Sequence, residues 1–197
     1  MKKQKVVVST SREPSPKTRS FLKDLTSLVP WVVRVNRGKL TFYELIEEAL
    51  MEGSNTLALI GEMRGNPSIL RLYDLTEFTN SSKVLHTYTI MLKGITLSRE
   101  AGHKGVNLEE VADIVIEPIV KADEEEKSLI LALHQLFNSG IVPVEGKKHI
   151  RIIINPTFKL IKFKLMPINY EVGPIIRYSK VNMPKRIMEL GEGVESE

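Results

Sequence analysis

The chain has 197 residues, of which 42% are hydrophobic and 26% are charged, as in ordinary soluble globular proteins. The absence of cysteine excludes disulfides and thiol catalysis, and the four histidines (His86, His103, His134 and His149) lack the spacing of metal ligands. The apolar run near the amino end is too short for a signal peptide, and no segment approaches the roughly 18 apolar residues of a membrane span. We therefore expect a cytoplasmic protein of one domain, or of two small halves sharing a core, with no membrane contact, metal or cofactor.

The charged residues are segregated along the chain, although the net charge is only +4. Residues 1–40 contain ten Lys/Arg and two Asp/Glu, a net charge of +8. Residues 41–146 contain eight Lys/Arg and seventeen Asp/Glu, a net charge of −9. Residues 147–186 contain ten Lys/Arg and one Asp/Glu, a net charge of +9. Two basic segments around an acidic middle are typical of nucleic-acid binding. The alternative is that the charges only form solvated faces.

The first half of the chain alternates between predicted strands and helices. The first strand is KVVVSTSR, and Ser15 followed by Pro16 predicts the start of a helix. The second strand is WVVRVNRG, and Thr41 with Glu44 predicts a capping box for a second helix that Gly53 ends. A third strand, buried on both faces, is TLALIGEMRGNP, and SILRLYDL is a candidate for a fourth. This order is typical of a parallel sheet with right-handed crossovers.

The second half is less regular. It begins with a predicted strand, VLHTYTIMLKGI, after which Asn107 and Glu110 predict the start of a short helix through LEEVADIV. The clearest helix is DEEEKSLILALHQLFNSG, with acids at its positive end and Gly140 after it. Two strands are predicted in HIRIIINPTFKLIKFKLMP, with a bulge between Leu160 and Ile161, where the apolar alternation slips. The last predicted strand is GPIIRYSKV.

Polar and basic side chains follow the ends of the three predicted parallel strands. They are Ser9, Ser11, Arg12, Asn36, Arg37, Arg64 and Asn66. Parallel strands place these exits at one edge of the sheet, where ligands of open α/β sheets bind. The helix that begins after Ser15 adds backbone N–H groups to this edge. The edge therefore suits an anion, either a phosphate of a small ligand or the phosphates of a polynucleotide.

No catalytic motif accompanies this edge. The loop STSREPSPK contains no glycine, and neither a Walker pattern nor a G-x-S-x-G elbow occurs in the chain. Glu62 near Arg64 could act as an acid, but such a pair at a strand end is more often structural. The sequence therefore favours a protein that is not an enzyme.

The second basic segment contains alternating lysines. Lys162 and Lys164 alternate with Ile161, Phe163 and Leu165, and a period of two puts the lysines on one face of a strand. The alternative is that these lysines protect an edge strand from aggregation. Edge protection explains the other bases of this segment less well: Lys147, Lys148, Arg151, Arg177 and Lys180. Because aromatic residues are few, the predicted binding is directed to the backbone of a nucleic acid and is sensitive to salt.

Four stretches of the chain resemble the Brix-domain superfamily of ribosome-biogenesis proteins, in its archaeal form. They are VVVSTSREPSPKTRSFLKDLTSLVP, VVRVNRGKLTFYELIEEAL, LALIGEMRGNPSILRLYDL and GPIIRYSK. The resemblance implies a single domain over residues 1–197, with halves at approximately 1–80 and 81–190 and an acidic flexible tail at 191–197. Its implied fold has two similar α/β halves with mixed sheets, each like the anticodon-binding domain of class IIa aminoacyl-tRNA synthetases.

The resemblance also implies a role in pre-rRNA processing and ribosomal subunit assembly. The implied partners are ribosomal RNA precursors, guide RNAs paired with them, and other assembly proteins. We expect RNA to contact residues of both basic segments: Ser9, Ser11, Arg12, Lys17, Arg19, Arg34, Asn36, Arg37, Lys39, Arg64, Lys148, Arg151, Lys159, Lys162, Lys164, Arg177 and Lys180. Two alternatives stay open, namely a protein-binding scaffold without RNA contact and a phosphate-handling enzyme.

Overall fold

A computed structural model describes residues 3–103 and 105–190 of the chain. The first half contains β1 (Lys5–Thr10), α1 (Pro16–Thr26), β2 (Val32–Arg34), α2 (Phe42–Met51), β3 (Ser54–Met63), β4 (Asn66–Asp74) and the short helix α3 (Phe78–Ser81). The chain continues with β5 (Lys83–Thr96), β6 (Val111–Ile116), α4 (Glu124–Phe137), β7 (Lys148–Asn155), β8 (Leu160–Met166), β9 (Tyr170–Asn182) and β10 (Arg186–Glu189). The predicted acidic tail, residues 191–197, lies outside the described residues.

The strands form one mixed sheet in the order β2-β1-β3-β4-β5-β9-β8-β7-β6, with β10 added beside β5. Strand β1 runs parallel to β2 and β3, and β6 runs parallel to β7, whereas the other pairs are antiparallel. Each half therefore has a parallel pair followed by two antiparallel strands: β1, β3, β4 and β5 in one, and β6, β7, β8 and β9 in the other. Pairing of β5 with β9 joins the two halves into one sheet. The predicted α/β fold of two similar halves is confirmed, while the division of the chain near residue 80 stays a prediction.

The predicted helix starts of the first half are confirmed. The Ser15 hydroxyl accepts a hydrogen bond from the Thr18 N–H at 3.2 Å, which satisfies one of the free donors at the start of α1. At α2, Thr41 and Glu44 form the predicted reciprocal capping box.

The predicted helix after Asn107 is wrong. Only a single 3-10 turn, Leu108–Glu110, follows Asn107, and the chain then enters strand β6. The segment VADIVI is rich in β-branched residues, which favour strands, and it pairs in parallel with β7. Tertiary pairing and burial therefore outweigh the local capping signal.

The end of α4 and the irregularity in β8 both lie at positions that differ from those predicted. Helix α4 ends at Phe137, two residues earlier than expected, because Asn138 adopts the left-handed conformation at φ 43°. Strand β8 pairs with β7 without interruption from Leu160 to Met166, but its pairing with β9 shifts register between Ile161 and Phe163. The irregularity expected between Leu160 and Ile161 thus lies slightly further along the strand and only on the β9 side. The alternation slips between Leu160 and Ile161 because Lys159, with φ 50°, still belongs to the preceding turn. Strand β10 was missed altogether.

Two hydrophobic cores lie on opposite faces of the sheet. The larger core lies under α1 and α4 and receives buried residues from every strand from β1 to β9. The smaller core lies under α2 and receives no buried residue from β6, β7, β8 or β9. The α2 side of the sheet is therefore covered by a helix only in the first half, and the α2 side of β7–β9 has no helix over it among the described residues.

A partly exposed carboxylate, that of Glu62, fixes α1 to the end of β3. The Glu62 carboxylate accepts hydrogen bonds from the Thr18 hydroxyl at 2.5 Å and from the Ser15 N–H at 2.9 Å. These hydrogen bonds, with that from Thr18 as the largest effect, hold the pKa of Glu62 below its usual range. Glu62 thus has structural partners at the start of the helix.

We expect Glu62→Gln to lower the free energy of unfolding by about 1 kcal/mol at pH 7, because hydrogen bonds to a charged acceptor are lost. A lowered folded-state pKa gives stability that is present above the unfolded pKa, about 4.3, and is lost as pH falls through the folded-state pKa. The difference in the free energy of unfolding between the variant and the wild type should therefore become smaller at acid pH. Urea unfolding at pH 7 and below pH 4 measures this, with Glu47→Gln on the exposed face of α2 as the control. Equal stability of Glu62→Gln and wild type at pH 7 would contradict the structural role.

Candidate nucleic-acid interface

A basic cleft lies at the carboxyl ends of β1 and β2. Its volume is about 530 Å³, and its cationic lining residues are Arg12, Arg19, Arg34, Arg37 and Lys39. These side chains come from three segments, namely the exit of β1, helix α1, and the end of β2 with the loop that follows it. Glu13 is the one acidic residue among the lining residues. Five cations against one carboxylate give a site that attracts anions.

Hydrogen bonds to the backbone and to an amide hold two of the cleft arginines in place. The Arg34 Nε–H donates to Asn36 Oδ1 at 2.8 Å, and the Arg37 Nε–H donates to the Leu40 carbonyl at 3.2 Å. Each of these bonds uses one of five N–H donors, so the others can bind an anion such as phosphate. Burial, and then the charge of Arg12, lower the pKa of Arg37. A bound anion would offset both effects.

Not all residues predicted for this edge line the cleft. Ser9 is fully buried, and its hydroxyl donates to the Val35 carbonyl at 2.8 Å. Ser11 lies outside the cleft and lines a depression on the other side of Arg37. Arg64 occupies the turn between β3 and β4 with φ 51°, beside the start of α1, and neither it nor Lys17 lines the cleft. Of the three arginines expected to converge, the cleft brings together Arg12 and Arg37.

A second basic surface, here called the open face, lies on the α2 side of β7–β9. Ile161, Phe163 and Leu165 of β8 point into the larger core, so the lysines that alternate with them point to the opposite side. The basic residues of the open face are Arg151, Lys162, Lys164, Arg177 and Lys180. Because β8 pairs with β7 on one side and β9 on the other, the prediction that its lysines protect an edge strand is wrong.

One acid lies among the bases of the open face. Glu171 accepts a hydrogen bond from Lys162 Nζ at 2.9 Å. This bond, with the charges of Lys162, His103 and Lys164, holds the pKa of Glu171 below its usual range. The positive potential of the open face therefore comes mainly from Arg151, Lys164, Arg177 and Lys180.

Two predicted RNA contacts have acidic partners away from the open face. Lys148 forms an ion pair with Glu110. Lys159 binds Glu125 of α4 at 2.8 Å and lies over the Tyr178 ring, 5.6 Å from its centroid. Burial and the acids near the start of α4 raise the pKa of Tyr178 to about 12. These lysines contribute less positive potential, because a carboxylate already offsets their charge.

Arg71 was missed by sequence reasoning. It lies on β4 between Leu70 and Leu72, which point into the larger core, so its side chain lies on the α2 side of the sheet. It lines the depression that also contains Ser11 and Arg37. A period of two in SILRLYDL could have placed Arg71 on a different face from its apolar neighbours.

Within residues 3–103 and 105–190, no helix is long and apolar enough to cross a membrane. In the same ranges, no group of three or more His, Asp or Glu side chains is placed to hold a metal ion.

Comparison with known proteins shows that the chain is similar to ribosome-biogenesis proteins. No family model matches the chain. A probable Brix domain-containing ribosomal biogenesis protein of Aeropyrum pernix is 29% identical over 187 residues, which cover 91% of this chain and 98% of that protein. The U3 small nucleolar ribonucleoprotein protein IMP4 of Eremothecium gossypii is 33% identical over 86 residues, 44% of this chain and 30% of that protein.

Two crystal structures share the fold. That of the probable ribosomal biogenesis protein from Aeropyrum pernix K1 superposes with a TM-score of 0.75 at 27% identity, covering 93% of this chain and 98% of that chain. That of Mil, an archaeal Imp4-like protein, superposes with a TM-score of 0.62 at 18% identity, covering 90% of this chain and 99% of that chain.

Ser9 and Arg37 should differ in their effects on stability. Ser9→Ala leaves the Val35 carbonyl without its buried donor and should lower the free energy of unfolding by about 1 kcal/mol. Arg37→Gln removes a charge at a cationic surface and should change it by less than about 0.5 kcal/mol. Urea unfolding of both variants tests this. A loss for Arg37→Gln as large as that for Ser9→Ala would mean that Arg37 serves mainly to hold the fold.

Proposed function

We propose that the chain is a member of the Brix-domain superfamily of ribosome-biogenesis proteins, like the relatives that it resembles along nearly its whole length, and that it binds ribosomal RNA precursors during pre-rRNA processing and subunit assembly, without catalysis. The observation that carries this proposal is the cleft at the carboxyl ends of β1 and β2, where five cations from three segments meet one carboxylate. Phosphates of an RNA backbone are the ligand that such a cleft favours.

The distance between the two basic surfaces favours a polymer over a small ligand. Five strand spacings separate β2 from β9, the nearest strand of the open face, which amounts to about 24 Å along the sheet at roughly 4.8 Å per strand. A small phosphorylated ligand would fill the cleft and leave the open face unused. A polynucleotide, which carries a charge at every residue, can occupy both.

The aromatic residues favour contacts to the backbone over the stacking of bases. Trp31 is buried, and its indole N–H donates to the Phe137 carbonyl at 2.7 Å. Phe158 is the one aromatic among the large, strongly exposed apolar side chains of the described residues. Recognition by charge and shape, with little reading of base edges, is the consequence.

A protein partner is favoured at the acidic start of α4. By the internal repeat, the segment that leads from β6 into α4 corresponds to the segment that leads from β1 into α1. It carries Asp123 at the helix cap and Glu124, Glu125 and Glu126 in the first turn of α4. This end of the sheet repels RNA and suits a basic assembly protein. The name of the IMP4 relative places that protein in a ribonucleoprotein, and we extend a similar setting, with guide RNA and assembly proteins in the cytoplasm, to this chain.

Binding to RNA should depend steeply on salt. Each phosphate contact with a single strand lowers the slope of log K against log salt by about 0.7, so several contacts should give a slope beyond roughly −3. Fluorescence anisotropy with a ribosomal RNA precursor fragment over a salt series measures the slope. A flat response, or no binding, would favour the scaffold, and turnover of a phosphorylated small molecule would favour an enzyme.

Variants of the two basic surfaces should weaken RNA binding without loss of stability. We expect Arg12→Ala and Arg37→Ala to reduce affinity by similar factors of about ten or more, because each removes charge-assisted hydrogen bonds at the same cleft. Lys164→Ala on the open face should also weaken binding, whereas Lys127→Ala, on α4 and paired with Glu124 at 2.7 Å, is the control. If Lys127→Ala weakens binding as much as Lys164→Ala, the open face is not an RNA surface.

A further inference from the structure

A small depression lies on the α2 side of the sheet, where α2 begins above β3 and β4. Its volume is about 140 Å³, and its lining residues are Ser11, Arg37, Phe42, Leu59, Ile60, Gly61, Arg71, Tyr73 and Met188. Arg37 also lines the basic cleft, so the two sites adjoin. We propose that this depression is a phosphate-binding pocket, with Arg37 and Arg71 as its cationic walls, and that it connects the cleft to the open face along one RNA strand. The second part rests on the proposed RNA-binding function.

The lining of the depression carries positive charge without a compensating acid. Two of its residues are arginines, and none of those that line it is Asp or Glu. A Cβ atom on Gly61 would lie 3.8 Å from Arg71 Nη1 and 2.6 Å from the Ile69 side chain, so the Arg71 guanidinium lies close to Gly61, beside Ile69. Arg37 is held by its bond to the Leu40 carbonyl on the other side. Two guanidinium groups around a small space can bind one phosphate through several N–H donors.

Further cationic side chains lie beside the depression, on the same side of the sheet. The ring of Tyr73 packs against that of His86 with centroids 4.9 Å apart, and Arg186 of β10 pairs directly with His86 of β5. Burial first, and then the charges of Arg71 and Arg186, lower the pKa of His86, in agreement with a cationic neighbourhood. On the next strand, Lys180 pairs with Met91 of β5 and begins the open face. The depression thus lies between the two surfaces that the proposed function assigns to RNA.

A polynucleotide fits this arrangement better than an acidic protein segment. The cleft, the depression and the open face follow one another around one edge and one side of the sheet. A nucleic-acid strand carries one phosphate per nucleotide, so it can place an anion in each of the three sites. An acidic protein segment would need carboxylates at matching intervals and would leave its apolar residues against a largely charged surface.

The substitution Arg71→Gln tests the inference. The matched control is Arg99→Gln, because Arg99 is an exposed arginine in the turn after β5. Single-stranded ribosomal RNA fragments of roughly 4 to 16 nucleotides are titrated by fluorescence anisotropy over a salt series. For the longest fragments, Arg71→Gln should weaken binding about tenfold and reduce the magnitude of the salt slope by about 0.7, the value for one phosphate contact. The shortest fragments, which the cleft alone can hold, should lose less than about twofold, and Arg71→Lys should recover part of the loss.

A second measurement does not depend on RNA. The Arg71 side-chain Nε–Hε resonance, assigned by its loss in Arg71→Gln, should shift when inorganic phosphate is added to the wild type. No shift with phosphate, or a shift only with polyglutamate, would overturn the phosphate pocket. Wild-type RNA affinity for Arg71→Gln at every length would overturn the connecting path while leaving the proposed function intact. A phosphate shift in a protein that binds no RNA would support the pocket and reject the RNA-binding function.

Discussion

The pairing of β5 with β9 is the constraint on which the rest of the structure depends. It joins two similar halves into one sheet, so that α1 from the first half and α4 from the second lie over the same larger core. The Trp31 indole, just before β2, donates to the Phe137 carbonyl at the end of α4 and so connects the two halves. Because both helices lie on one side, the other side of β7–β9 has no described helix over it and can carry bases.

The distribution of charge follows from this arrangement. Bases on the α2 side of the sheet and at the carboxyl ends of β1 and β2 avoid the cost of burying charge, because solvent or a ligand can reach them. Four acids of the chain's middle, Asp123 to Glu126, lie at the start of α4, where they cap the helix and favour its dipole. The carboxylate that lies among the bases of the open face, Glu171, is already bound to Lys162.

Local signals in the sequence predicted part of the fold well. The starts of α1, α2 and α4 depend on caps within four residues, so Ser15, Thr41 and the acids after Asp123 identified them. The sequence predicted a helix at VADIVI because its caps looked favourable, whereas β6 exists through pairing with β7, a contact distant along the chain. Strand β10 was not predicted for the same reason. Its four residues have little apolar pattern, and they form a strand only because they pair with β5.

In the candidate site, too, local sequence signals predicted some positions, whereas others depend on contacts distant along the chain. Arg12 and Arg37 follow parallel strands, so a topological rule placed them together. The burial of Ser9 depends on the carbonyl of Val35, a contact that only the assembled sheet shows. A period of two in β4 separates Arg71 from its apolar neighbours, but only the assembled sheet shows that Arg71 and Arg37 line one depression.

The central claim is that RNA lies along the cleft and the α2 side of the sheet. Photo-crosslinking of a 4-thiouridine-substituted ribosomal RNA precursor fragment, followed by mass spectrometry of the linked peptides, tests it most directly. The account predicts crosslinks in the peptides that contain Arg34–Lys39, Arg71 and Lys162–Lys164. Crosslinks confined to the outer surfaces of α1 and α4 would contradict it.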